Sequence, residues 1–287
     1  MGRKWELGIR KFLFIGVILL WGSLAYSDGQ KPFSEPPTDS SKVFLYTAKK
    51  FGIPILKASI KIGNGVFEQG KPVYQIQADI GSLPYLGLLF RMKNRFTSIM
   101  EADTCCPVRY VKEIDQEGLL IEKKNYFQTL TFDSNLKKVL VEKMGEREKR
   151  EISLPPGTSD PLSLFARYYL KEELHPWQEI PMSIYDGVKL RQMVFHSKKE
   201  KLKSKRYGEV DAVCLESATS FSTFGEKEGI IRIWYTTDGE KTPISMELEL
   251  PVGNVKFELE SIHRSQNVPE GNEERKKRDE PVRGNVQ

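Results

Sequence analysis

The sequence predicts a mainly β protein: an antiparallel, strongly curved sheet or sheets, as an open barrel or sandwich, with one or two helices. Three observations carry this expectation. Apolar residues recur at every second position through most of the chain between Lys42 and Arg264, turn residues punctuate those runs, and a helical stripe is well signalled at one place. The clearest stretch is Gly229 to Ile262. Ile231, Ile233 and Tyr235 alternate with Arg232 and Trp234. Ile244, Met246, Leu248 and Leu250 alternate with Ser245, Glu247 and Glu249, and Val255, Phe257 and Leu259 with Lys256, Glu258 and Glu260. Side chains two apart share one face of a strand, so each run offers an apolar row to a core and a largely charged row to water. Asp238-Gly239 and Val252-Gly253-Asn254 supply the turns of a three-stranded meander.

Taken in order, Phe44 to Lys49 opens the domain. Ala58, Ile60 and Ile62 pair across a turn at Gly63-Asn64-Gly65 with Tyr74, Ile76, Ala78 and Ile80. Leu83 to Arg91, starting after Ser82 and containing Pro84, reads as a helical turn or short helix, and Arg95 to Glu101 as a strand. Val108 to Ile114, Leu119 to Lys124, Tyr126 to Phe132 and the pair Val139 and Val141 continue the strand pattern. Asp160 caps a helix with Pro161 at its first position and Leu162, Phe165, Ala166, Tyr169 and Leu170 as its apolar stripe, closed by His175-Pro176. Ile180 to Tyr185 and Lys189 to Phe195 flank a turn at Asp186-Gly187, and Val210 to Glu216 precedes the meander. Strands alternating with helices, the mark of a parallel sheet, are missing from this order.

The ends differ from the middle. Arg3, Lys4, Arg10 and Lys11 precede an uncharged apolar run from Phe12 to Ala25, with small residues at Ala25 and Ser27. That order predicts a secretory signal over residues 1–27, shorter than the roughly 20 apolar residues a spanning helix prefers. If it stays uncleaved, it anchors the chain in the inner membrane; no cysteine follows it to take a lipid. Residues 28–41 read as a flexible Pro- and Ser-containing linker and residues 265–287 as a charged, disordered tail. Between them, residues 42–264 form a single β-rich domain, or two packed halves joined by a helix over 160–174. The formal charge of +5 on 287 residues is modest, and without a dominant basic stripe nucleic acid is excluded as an expected partner.

Five segments resemble a bacterial envelope family, domain of unknown function 3108. They are FLYTAKKFGIPILKASIKI, the stretch from Tyr74 to Asp133 containing FTSIMEAD, DPLSLFARYYL, IPMSIYDGVKL, and IRIWYTTDGEKTPISMELELPVGNVKFEL. They fall in the family's order across nearly the whole domain. The resemblance implies an exported, periplasmic, mainly β protein without an established reaction, and it brings no catalytic residues to carry over.

Candidate chemistry is sparse. Gly65 to Lys71 has phosphate-loop spacing, but Pro72 stands where a magnesium-binding Ser or Thr belongs and a strand follows instead of a helix. His175, His196 and His263 lie at no metal-ligand spacing, and no Gly-x-Ser-x-Gly elbow occurs. No catalytic, cofactor-binding or metal-binding residue is therefore named, and no cofactor is expected. In an oxidising compartment Cys106 and Cys214 are a candidate disulfide, the alternatives being a strained Cys105–Cys106 bond or free thiols. Lys199, Lys201, Lys203 and Lys205 line one face of an extended segment. They suit contact with an anionic surface, or, more simply, protection of a sheet edge. These readings converge on a non-catalytic domain binding an apolar or amphipathic envelope ligand, such as a lipid, or a protein partner. The alternatives are a glycan- or lipid-acting hydrolase using loop carboxylates and a structural interaction module. Intact mass spectrometry of the protein recovered from its native envelope is expected to show a chain starting at Asp28; a chain retaining residues 1–27 is the anchored form.

Overall fold

The computed structural model describes residues 40–266 except 69, 120, 122, 136, 222–226 and 251–252. The expected signal, most of the linker and most of the tail lie outside the described residues. The first strands are β1 (Ser40–Lys50), β2 (Ile53–Glu68), β3 (Lys71–Ser82) and β4 (Phe90–Glu101), followed by β5 (Pro107–Gly118), β6 (Lys124–Asp133), β7 (Lys138–Lys143) and β8 (Arg150–Ser153). Helix α1 (Pro161–Leu170) separates them from β9 (Glu179–Tyr185), β10 (Leu190–Ser204), β11 (Gly208–Phe221), β12 (Lys227–Thr236), β13 (Pro243–Glu249) and β14 (Val255–Gln266). All fourteen belong to one antiparallel sheet, ordered β8 through β1, then β14 back through β9. The strands before and after α1 thus form one surface, joined where β1 pairs with β14 from Ser40–Gln266 to Lys50–Val255. β8 and β9 are its two edges, and no ladder joins them among the described residues.

Alternation sets the two faces. On β4, Phe90, Met92, Asn94, Phe96, Ser98 and Met100 are buried while the residues between them are exposed or half-buried. The main core takes its rows from both ends of the sheet, including Phe44, Ile60, Ile76, Phe96 and Leu130 on one side and Phe195, Ile233, Leu248 and Phe257 on the other. A sheet with one apolar face this wide buries it by curling round on itself.

α1 fills part of the concavity. Asp160 caps it as the sequence predicts: its Oδ1 accepts from the backbone N–H of Leu162 (2.8 Å) and Ser163 (3.0 Å), and Ser163 Oγ meets the Asp160 N–H at 3.0 Å. The second carboxylate oxygen accepts from Ser98 Oγ of β4 at 2.7 Å, pinning the helix to the inner wall. Buried Asp160 is therefore both cap and anchor, with the buried side chains Leu162, Leu164, Phe165 and Tyr168 facing the core. On the other side Tyr235 of β12 donates its hydroxyl proton to the Phe165 carbonyl (2.9 Å), and Tyr169 meets Phe44 edge-on at 5.2 Å.

Several sequence expectations need correction. The strand expected over Leu119 to Lys124 is not formed as such: Gly118 ends β5, Ile121 tucks into the core from the connection, and Lys124 opens β6. The turn expected at Gly63-Asn64-Gly65 is instead an irregularity inside β2, where pairing with β3 shifts between Gly63 and Val66; β2 runs on to Glu68 before β3 begins at Lys71. β8 carries no clear alternation and was not anticipated. β1 begins at Ser40, inside the expected linker, and β14 extends to Gln266. A bulge between Trp234 and Tyr235 breaks the row of β13, so Ile244 joins Ala212, Cys214 and Trp234 in a small second cluster, separate from the core that holds Met246 and Leu248. Trp234, expected to face water, is buried there and donates from Nε1 to Glu200 at 2.7 Å.

Replacing Asp160 by Ala removes the cap and strands the buried Ser98 hydroxyl. The expected loss is about 2–4 kcal/mol of unfolding free energy. Asp160→Asn, which retains an acceptor, is expected to lose less, both read from urea unfolding midpoints.

Candidate functional site

Between α1 and the inner face of the curl lies a cavity of about 150 Å³. Ala58 and Ile60 of β2 and Ala78 and Ile80 of β3 form one wall, and Leu162, Leu164 and Phe165 of α1 form another. Met193 and Phe195 of β10, Ile231 and Ile233 of β12, Met246 and Leu248 of β13 and Phe257 of β14 complete it. The space has a local origin. Strands β2 and β3 present alanine at positions 58 and 78, paired in register with Ile80 and Ile60 respectively, and the ten-residue helix does not fill what those short side chains leave. The lining is mainly aliphatic and aromatic, with Thr219, Asp186, Arg191 and Arg232 also on it, and a cleft of this size takes an apolar group of about the size of benzene.

The polar margin of the cavity is the turn between β9 and β10. Asp186 Oδ1 accepts from the N–H groups of Val188 and Lys189, both at 2.9 Å, and its Oδ2 pairs with Arg191 Nη1 at 2.5 Å. The turn rests on the inner face of the opposite half of the sheet. Lys112 Nζ of β5 donates to the Asp186 carbonyl at 2.9 Å, and Gln128 Nε2 of β6 to the Gly187 carbonyl at 3.4 Å. Gly187 has φ of +89°, and a Cβ there would lie 2.8 Å from Gln128 Oε1 and 3.0 Å from Leu130, so only glycine fits. The later strands thus end inside the earlier ones, and side chains, not a strand ladder, hold the overlap.

Lys112 is 1 % exposed. Burial pushes its ammonium down to about 8, the carboxylate of Asp186 opposing that shift and Lys124 and Arg191 adding to it. Its Nζ also lies 5.8 Å from the centre of the Tyr126 ring. Sequence reading did not single out this residue; a lysine two residues from both Tyr110 and Ile114, on the apolar face of β5, was the signal that could have found it.

At the opposite end of the curl a second, larger depression of about 470 Å³ is lined by Tyr168, Leu174, His175, Lys199, Tyr235, Thr236, Asp238 and Lys241 among others. Of the lysine row, Lys199, Lys201 and Lys203 are exposed along β10, beyond the reach of β9, and Lys205 is exposed in the turn that follows. Only Lys199 borders the depression, and Lys201 pairs with Glu209 at 3.1 Å. The structure leaves Cys105, Cys106 and Cys214 as free thiols. Cys214 sits in the second cluster, its thiol pushed up to about 12 by burial, and burial raises Cys105 as well. His175, His196 and His263 are exposed, His175 lying beside β10 where Ser197 Oγ donates to its carbonyl at 2.6 Å, and the described residues hold no cluster of three metal-ligating side chains. Lys71 of the glycine-containing loop opens β3 and pairs with Glu101 at 2.7 Å, as part of a hairpin. No helix among the described residues is long and apolar enough to cross a membrane.

These features define an open, curled antiparallel β protein with a helix in its concavity and a small apolar cavity beneath it. The chain belongs to the family described as protein of unknown function (DUF3108), whose model matches residues 43–260. No curated protein sequence matches it significantly. Among solved structures it is similar to the beta-barrel-like protein of domain of unknown function DUF1849 from Brucella abortus, with a TM-score of 0.51 and 10% sequence identity. The match covers 79% of this chain and 98% of that one. At that identity the likeness is one of fold.

The depressed lysine has a measurable consequence. The folded protein binds Lys112's proton less tightly than the unfolded chain does, so its burial costs about 3 kcal/mol below pH 8, a cost that disappears as pH rises to the ordinary lysine value near 10.5. Relative to Lys112→Met, the wild-type protein is expected to gain stability by about that amount between pH 7 and 10.5, measured as the difference of the two urea unfolding free energies at each pH. A difference independent of pH would show that Lys112 titrates normally.

Proposed function

We propose that this protein is an exported, non-catalytic periplasmic carrier or sensor that holds the apolar part of an amphipathic envelope ligand, such as an acyl chain, in the cavity beneath α1. The carrying observation is the cavity itself: a mainly apolar cleft of about 150 Å³ between α1 and the inner face of the sheet. Apolar surface left open in this way is unfavourable in water, and a concave apolar site is where a ligand's apolar part is best held. The Asp186–Arg191 pair at the margin offers a charged partner for a polar head, while the lining offers aliphatic and aromatic contact for the tail. The order of basic, apolar and small residues over 3–27 supports export.

The two most buried carboxylates speak for holding a ligand over cleaving one. Asp160 is occupied by Ser98 and the first turn of α1, and Asp186 by its own turn and Arg191. Each is engaged in architecture, whereas the general acid and base of a hydrolase need groups open to substrate and water.

Native mass spectrometry of the protein extracted gently from its envelope is expected to show a retained lipid at one per chain. Ala78→Phe, which fills the cavity with a ring, is expected to abolish the adduct while leaving the unfolding midpoint unchanged or raised. A folded Ala78→Phe protein that still carries the adduct would remove the cavity from the function.

A further inference from the structure

The strands leave their exposed apolar side chains mostly at one rim. Among the described residues thirteen large hydrophobic side chains are exposed. Eight of them lie on, or one residue inside, the turns at the rim where β1 ends and β2 begins, shared by the β3–β4, β5–β6, β7–β8 and β9–β10 connections. The tips are pronounced: Leu88 is 91% exposed, Leu119 79%, Phe51 77%, Tyr85 62% and Ile53 60%. Such side chains belong in a core by preference, and a contiguous set of them outside it marks a surface that meets something apolar.

Three neighbouring turns, β1–β2, β3–β4 and β5–β6, are tied to one another. Leu83 N–H donates to the Ile55 carbonyl at 3.2 Å, Leu119 N–H to the Leu89 carbonyl at 2.8 Å, and the Tyr85 hydroxyl to the Pro54 carbonyl. Directly behind the tips runs a charged band. Arg91 pairs with Asp115 at 2.6 Å and Glu117 at 3.1 Å, Lys123 reaches Glu117 at 3.6 Å, and Lys93 is exposed beside them. The cavity lies toward this same rim: Ile80 is two residues from the end of β3, Arg191 is the second residue of β10, and Leu248 is the last but one of β13.

We infer that this rim docks on a phospholipid bilayer, its Phe, Tyr, Ile and Leu tips entering the acyl region and the band around Arg91 resting among headgroups. Three features favour a bilayer over a folded partner. The tips come from five separate turns spread along the rim, not from one continuous face of a helix or strand. The turn hydrogen bonds just named tie their backbones to one another, leaving little for strand addition. A fluid apolar phase needs no shape complement, and an aromatic and aliphatic fringe backed by charges is the pattern of interfacial anchoring. The inference deepens the ligand-holding reading, because docking at this end places the cavity's margin next to the source of an acyl ligand.

The test uses the full chain with vesicles of phosphatidylethanolamine and phosphatidylglycerol that carry a photoactivatable diazirine acyl chain, and maps adducts by peptide mass. Adducts are expected on residues 51–53, 83–89 and 119. The double variant Leu88→Asp, Leu119→Asp is expected to lose them and to bind vesicles at least tenfold more weakly, with its melting temperature unchanged because both positions are exposed. Trp177→Asp, at the opposite rim, is expected to behave as wild type. Adducts confined to the first 39 residues, or rim adducts unaffected by the double variant, overturn the inference. Rim adducts absent while the double variant turns a dimer into a monomer would give the surface to a second copy of this chain and overturn it too. Ala78→Phe is expected to keep the rim adducts after losing its retained ligand, so failure of docking and failure of ligand holding are read separately.

Discussion

One constraint governs this structure: a single sheet of fourteen strands has an apolar face far larger than one ten-residue helix can cover. Burial of that face is the main favourable term available to the fold, and the sheet has only itself to bury against. Right-handed strand twist supplies the direction of the curl, and the bulges on β2, β5, β13 and β14 supply local bending. A barrel would meet the same need by joining β8 to β9. Here the seam is made by side chains. The Asp186-Gly187 turn reaches across to Lys112 and Gln128, and a single backbone bridge from Ser159 to Ile184 ties the segment before α1 to the edge strand β9.

That seam explains why charged groups lie inside. A strand edge presents a row of N–H and C=O groups, and at the overlap they must find partners or lose solvation without return. The carbonyls of Asp186 and Gly187 are two such groups, and a lysine ammonium and a glutamine amide meet them from the facing wall. The match is imperfect: Gln128 Oε1 is buried without a hydrogen-bond partner, and the Lys112 proton is held more weakly than in water. An interior of aliphatic residues alone would leave those carbonyls bare. The polar side chains of β5 and β6 therefore set where the turn lands, at some cost in stability.

How much of this was legible followed the range of the interactions. Strand identity came from the period of two, because each position faces either core or water whatever lies beyond it; Tyr74 to Ile80 and Val255 to Leu259 are clear cases. The start of α1 was readable because Asp160, Pro161 and Ser163 act on their own neighbours. Features set by pairing between distant segments were not readable. The bulge that turns Ile244 away from Met246 depends on register against β12, and the burial of Trp234 depends on Glu200, which is 34 residues away in sequence. The cavity belongs to this second kind. Ala58 and Ala78 look like ordinary members of their rows, and only the arrival of α1, β12 and β13 on the other side shows that their short side chains leave a space.

The rows on β2 and β3 also indicate why that space lies where it does. Ile60 and Ile62 continue the β2 row away from the rim, and Ile76 continues that of β3, so larger side chains fill the interior next to the alanines. On the helix side Phe165 and Tyr168 stack toward Tyr235, closing the interior in the direction of the second depression. The open volume is thus bounded by bulk on the side of the β12–β13 turn and by the Asp186–Arg191 pair on the side of the apolar tips.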